Sequence, residues 1–156
     1  LDETFDACED VEFNYRVEKA GFKAYTSPSL TVRYYPRESL RALFNQMARY
    51  GKGRCKFIKK HPGAFTLEVL VPPLFAAGIL VTVLAWLLAF ASGAFLWLAL
   101  ALTALYCLYG ALVTGESLRI SMRNGLKYLK HLPFVILAVH AGLGWGFLKE
   151  AVAGGK

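Results

Sequence analysis

Charge is absent from a long stretch of this sequence: no Asp, Glu, Lys or Arg occurs from Val69 to Gly115. Cysteine is scarce as well, and three cysteines leave one unpaired, which excludes a secreted disulfide scaffold. Glycine has no period, so a collagen-like repeat is excluded. Charged residues make up only 19% of the 156 residues against 56% hydrophobic ones, which excludes a disordered tail. Yet the net charge is +7. That combination is rare in soluble basic domains and points to a membrane. Leu1 stands where an initiator methionine is expected and nothing like a signal peptide precedes the polar part, so the chain reads as a piece of a longer protein.

What charge there is collects at the start. Residues 1–68 carry 12 basic and 9 acidic side chains, a length that buries only a modest core. Residues 2–12 hold six acids and no base. They lead into an expected helix from about Glu9 to Ala20, stopped by Gly21, with acids at its start and Lys19 near its end to suit the helix dipole. Phe22 to Thr26 reads as extended, Ser27-Pro28-Ser29 as a turn, and Leu30, Val32 and Tyr34 alternate as in a half-buried strand that Pro36 ends. Leu40, Leu43, Phe44 and Met47 then follow the spacing of an amphipathic helix, which Gly51 and Gly53 are expected to break.

A membrane-spanning helix needs about 20 apolar residues. Residues 69–90 and 95–113 each supply that number and are joined by Ala91-Ser92-Gly93-Ala94, which predicts a tight hairpin. Pro72 and Pro73 fall at the entry of the first span, where a missing backbone donor costs least. Residues 132–148, with His140, form a third and shorter span, or a re-entrant or interfacial segment. Ala138, Gly142 and Gly146 make a small-residue ladder that permits close helix approach. Between the second and third spans, Leu118, Met122, Leu126 and Leu129 form one stripe and Arg119, Arg123, Lys127 and Lys130 the next. Residues 116–130 are therefore expected as an interfacial amphipathic helix on anionic lipid. The basic stretches before the first span and after the second both predict the cytoplasmic side.

The residues fit for chemistry lie in the polar part. Glu9 and Asp10 stand at a helix start, and Gln46, Arg49 and Tyr50 follow about 36 residues later on one flank of a helix, with Lys52 and Arg54 beyond them. These are side chains able to carry chemistry, and what they would do is implied by a resemblance to a known family. The same acids also suit a plain helix cap, and the same flank a solvated surface. Lys52 and Arg54 suit either a diphosphate or lipid headgroups; for Lys56, Lys59 and Lys60 the headgroup anchor is favoured. His61, His131 and His140 have no metal-ligand spacing with one another or with Cys8, Cys55 and Cys107. Nucleic acid is a poor account of the basic excess, because the cluster abuts a membrane entry and lacks a binding motif.

Asp2-Glu3-Thr4-Phe5, Glu9-Asp10-Val11-Glu12, Arg16, Ala20-Gly21-Phe22, Ser39-Leu40 and Gln46-x-x-Arg49-Tyr50, taken in order, resemble the acceptor half of membrane-bound family 2 glycosyltransferases. Within these they are most similar to the enzymes of bacterial exopolysaccharide assembly, such as the succinoglycan-type glucosyltransferases. The resemblance covers roughly residues 1–60. It implies an α/β fold, the C-terminal part of a GT-A (Rossmann-like) domain over residues 1–60, followed by a helical membrane region of two to three spans over 61–156. It implies inverting transfer of a hexose from a nucleotide sugar, a UDP-hexose, to a polyprenyl-diphosphate-linked oligosaccharide at the cytoplasmic face of a bacterial inner membrane. Asp10 matches the catalytic base and Glu9 its neighbour. Gln46, Arg49 and Tyr50 match the motif that holds the acceptor sugar and the diphosphate, with tyrosine in place of the family's tryptophan. The divalent cation of the family, Mg or Mn, has its ligands outside these residues, so the piece alone is expected to be inactive. Two other readings stay open: a non-catalytic membrane-anchored interaction module, and a polyprenyl-phosphate sugar synthase or processive polysaccharide synthase.

Overall fold

The computed structural model describes residues 1–153. Five helices carry the chain: α1 (Glu9–Lys19), α2 (Leu40–Lys60), α3 (Val71–Ser92), α4 (Leu96–Asn124) and α5 (Leu132–Ala153), with short 3-10 turns at Pro62–Ala64, Leu67–Leu70 and Leu126–Tyr128. The α/β expectation is overturned, because no strand occurs among the described residues. Leu30, Val32 and Tyr34 alternate as a strand does, but all three are exposed and the segment has no regular structure. A strand exists only by sharing its backbone hydrogen bonds with a neighbour, and no paired segment lies beside this one.

α2 begins at Ser39, whose hydroxyl accepts from the Ala42 N–H at 3.2 Å. Contrary to expectation, the helix runs on through Gly51 and Gly53 to Lys60. Glycine costs a helix about 1 kcal/mol relative to alanine, and here the cost is offset by close backbone packing on two sides. A Cβ at Gly51 would collide with the Leu143 carbonyl of α5, and one at Gly53 with the Ala7 carbonyl of the N-terminal loop. The small-residue ladder of α5 meets the same helix: Gly142 lies against Phe44 and Met47, and Gly146 against the Ala48 backbone. On another face of α5, Gly144 lies against Pro72 and Ala76 of α3.

α3 and α4 form the expected hairpin, turned by Gly93 at φ +68°. Trp86 Nε1 donates to Thr103 Oγ1 at 3.0 Å and the Tyr106 hydroxyl to the Phe75 carbonyl at 2.6 Å. Most large apolar side chains of the pair face outward, from Leu74 and Leu80 to Trp97 and Leu112. Hydrocarbon outside the protein, rather than a protein core, is what such a surface requires. α3, α4 and α5 are each long and apolar enough to cross a membrane, and the chain is a membrane protein. The expected separate helix over 116–130 is not present: α4 continues unbroken to Asn124, and Gly125, at φ +121°, ends it.

α1 is fastened to the far end of α2 by one acid. Glu12 is fully buried and accepts from Arg16 Nε at 3.0 Å, Lys60 Nζ at 2.7 Å and His61 Nε2 at 3.0 Å. Tyr15 packs edge-on against Phe57 with ring centres 5.4 Å apart. These contacts turn the start of α1 toward the middle of α2.

Candidate functional site

Where α1 starts, a cavity of about 440 Å³ opens between the Asp6–Val11 segment and α2. Its floor is set by backbone packing. The loop before α1 rests on Gly53, the Cys8 thiol donates to the Tyr50 carbonyl at 3.6 Å, and Cys8 itself takes a left-handed φ of 68° to turn the chain into the helix. A non-glycine residue in that region is held there by its surroundings. Burial pushes the thiols of Cys8 and Cys55 up, which makes them poor nucleophiles.

Glu9, Asp10, Gln46, Arg49, Tyr50 and Arg54 all line this cavity. Asp10 Oδ1 accepts from the Val11 N–H at 2.8 Å, a first-turn contact, while the carboxylate stays exposed. Gln46 Nε2 donates to the Tyr50 hydroxyl at 3.2 Å. Arg49 forks onto Asp6, with Nε to Oδ2 at 3.1 Å and Nη2 to Oδ1 at 3.2 Å. Lys52 is not in the cavity: its ammonium points to Glu150 of α5 at 4.0 Å and lines a separate hollow beside Trp145. Two residues of the site had no signal of their own in the sequence, Asp6 and Arg37. One was hidden among six acids and the other in a basic loop without periodicity.

Three arginines and three carboxylates thus face one space at the positive end of a helix dipole. Arginine forks and a helix start suit the oxygens of a phosphate, and an exposed carboxylate beside them can accept a proton. No group of three or more His, Cys, Asp or Glu able to hold a metal ion occurs among the described residues. The cavity's acids share their space with Arg37, Arg49 and Arg54. These residues do not fit a divalent cation.

Over 89 residues, 55% of its length, the chain is 37% identical to the succinoglycan biosynthesis protein ExoA of Rhizobium meliloti (strain 1021). Over 154 residues, 99% of its length, it is 26% identical to the dolichyl N-acetyl-alpha-D-glucosaminyl phosphate 3-beta-D-2,3-diacetamido-2,3-dideoxy-beta-D-glucuronosyltransferase of Methanococcus voltae. The chain is thus similar to proteins of exopolysaccharide and lipid-linked sugar assembly, a glycosyltransferase among them. The resemblance read from its motifs is borne out. This glycosyltransferase relative spans 27% of the first protein's length and 42% of the second's. No family model and no solved structure matches it.

Proposed function

We propose that the cavity is the acceptor side of an inverting glycosyl-transfer site, taking a hexose from a nucleotide sugar to a lipid-linked oligosaccharide. Asp10 takes the proton from the acceptor hydroxyl as its oxygen bonds to the anomeric carbon. The bond from that carbon to the nucleoside diphosphate breaks, and the diphosphate leaves with the electron pair. Arg49 supplies a planar fork for diphosphate oxygens, with Arg54 beside it, and Tyr50 supplies a face for the sugar. Gln46 hydrogen-bonds to Tyr50 and fixes that ring. Glu9 adds negative charge beside the base. The basic side chains of α2 and of the end of α4 favour the cytoplasmic side of an inner membrane for the site.

One observation carries this reading. Asp10 from α1 and Gln46, Arg49 and Tyr50 from α2 line the same cavity, although about 36 residues separate them in sequence. The test is Asp10→Asn in the full-length protein, assayed in membranes with a labelled nucleotide sugar and a lipid-linked acceptor. Transfer falls by about 10²- to 10⁴-fold, the range a general base contributes, while membrane insertion is unchanged. Near-normal turnover in that variant sinks the assignment.

A further inference from the structure

The structure sets α2 and α5 side by side along nearly their whole length. Leu40 and Leu43 share a hollow with His131 and Val135. Phe44 and Met47 meet Gly142, and Ala48 meets Gly146. Lys52 faces Glu150, and Lys59 Nζ donates to the Glu150 carbonyl at 2.9 Å. α2 carries seven cations in 21 residues: Arg41, Arg49, Lys52, Arg54, Lys56, Lys59 and Lys60. Were α5 to cross the bilayer, α2 would be carried through the hydrocarbon with it, and charges there are expensive.

The hairpin places α5 at the water's edge. Charge ends at Glu68, and Pro72, Phe75 and Ala76, within six residues of the start of α3, are the positions that meet Gly144 and His140 of α5. His140 Nδ1 also pairs with the Tyr109 hydroxyl of α4 at 2.8 Å. α4 then continues another 15 residues past Tyr109, through Glu116, Arg119 and Arg123, to Asn124. The crossing therefore lies at the mouth of the hairpin. On the surface of α5 left uncovered, Phe134, Leu137, Trp145 and Val152 fall on one helical stripe and are 42% to 83% exposed.

We propose that α5 does not span the membrane: it lies flat in the headgroup layer, with the stripe of Phe134, Leu137, Trp145 and Val152 against the acyl chains and α2 on its aqueous side. Only α3 and α4 then cross. α5 becomes a beam that fixes the height of α2, and with it the cavity, above the bilayer. An in-plane helix with an apolar stripe and an aromatic at the boundary is a known physical solution, and the charge on α2 excludes the deep alternative.

The test uses the full-length protein with all native cysteines, Cys8, Cys55 and Cys107 among them, replaced by alanine, a single cysteine at Lys130 or Lys149, and a membrane-impermeant maleimide applied to sealed vesicles of each orientation. Lys130→Cys and Lys149→Cys flank most of α5 and label from the same face. Labelling from opposite faces overturns the proposal. A second measurement stands apart from the cysteine variants. With every other tryptophan, Trp86 and Trp97 among them, changed to phenylalanine, Trp145 fluorescence is quenched more by lipids brominated near the headgroup than by lipids brominated deep in the chains. The reverse order overturns it.

Discussion

Arg49 and Asp6 form a two-pronged pair across 43 residues of sequence, and Arg49 Nη2 donates again to the Asp6 carbonyl at 2.8 Å. The edge of the guanidinium that suits a phosphate is occupied by a carboxylate of the same shape. Both side chains are more than half exposed, at 55% and 66%, and an exposed pair is worth only about 0.2–1 kcal/mol. A diphosphate displaces Asp6 at small cost. Asp6→Asn is therefore expected to leave thermal stability nearly unchanged and to tighten pyrophosphate binding, by up to about fivefold on that energy. Calorimetric titration of wild type and variant with pyrophosphate measures this; equal or weaker binding in the variant counts against Arg49 as the anion contact.

The glycines of α2 and α5 give a second prediction, because two effects of known size oppose each other. Gly→Ala within a helix gains about 1 kcal/mol of propensity. At Gly53 and Gly146 the added methyl would collide with the carbonyls of Ala7 and Ala48, which are backbone atoms and cannot swing aside. Overpacking of this kind costs about 1–3 kcal/mol, so both variants are expected to melt at lower temperature in detergent. Gly115 has nothing within 4 Å, and Gly115→Ala is expected to show no loss. Of the two, Gly53→Ala also disturbs the loop that sets Asp10, so it reduces transfer as well as stability.

These glycines also mark the limit of what the sequence discloses. The hairpin was legible because the absence of charge from Val69 to Gly115 has one economical physical meaning. The first half of α2 was legible because Leu40, Leu43, Phe44 and Met47 keep a helical period. Six of the cavity's residues were legible through their order along the chain. Continuation of α2 past Gly51 and Gly53 was not, since the reason lies in Leu143 and Ala7, at sequence distances that no local pattern reaches. Leu30, Val32 and Tyr34 misled for the opposite reason: alternation describes a surface that fits a sheet and does not supply the neighbouring strand. Glu12 had no mark separating it from five other acids. Only the fold decides that Lys60 and His61 arrive beside it.

Arg37 adds a third prediction. It lines the cavity from the loop before α2, and among the described residues it forms no salt bridge, unlike Arg49. An arginine free to meet an incoming anion contributes as a charge-assisted hydrogen bond, about 1.5–3 kcal/mol. Arg37→Ala is expected to weaken substrate use by about 10- to 100-fold in kcat/KM, with no change in melting because the side chain is exposed. Arg37→Lys, which keeps the charge and loses the fork, falls between the two. A kcat/KM for Arg37→Ala equal to wild type removes this residue from the site.

Glu12 makes the docking of α1 sensitive to acid. Its hydrogen bonds from Lys60, His61 and Arg16 hold its carboxyl down from the ordinary 4.5 to about 2. Lys60 is correspondingly held above its ordinary value by Asp2 and Glu12. The folded state therefore binds the Glu12 proton less readily than the unfolded chain does. Stability from this group is fully present above pH 4.5 and is lost as pH falls from there toward about 2. Glu12→Gln places an uncharged amide in a site built for a carboxylate, so the variant is less stable than wild type at neutral pH. The gap between the two narrows as pH drops below 4.5. Thermal unfolding followed across that window in both proteins gives the result, and a gap that stays constant shows that the Glu12 charge does not hold α1 in place.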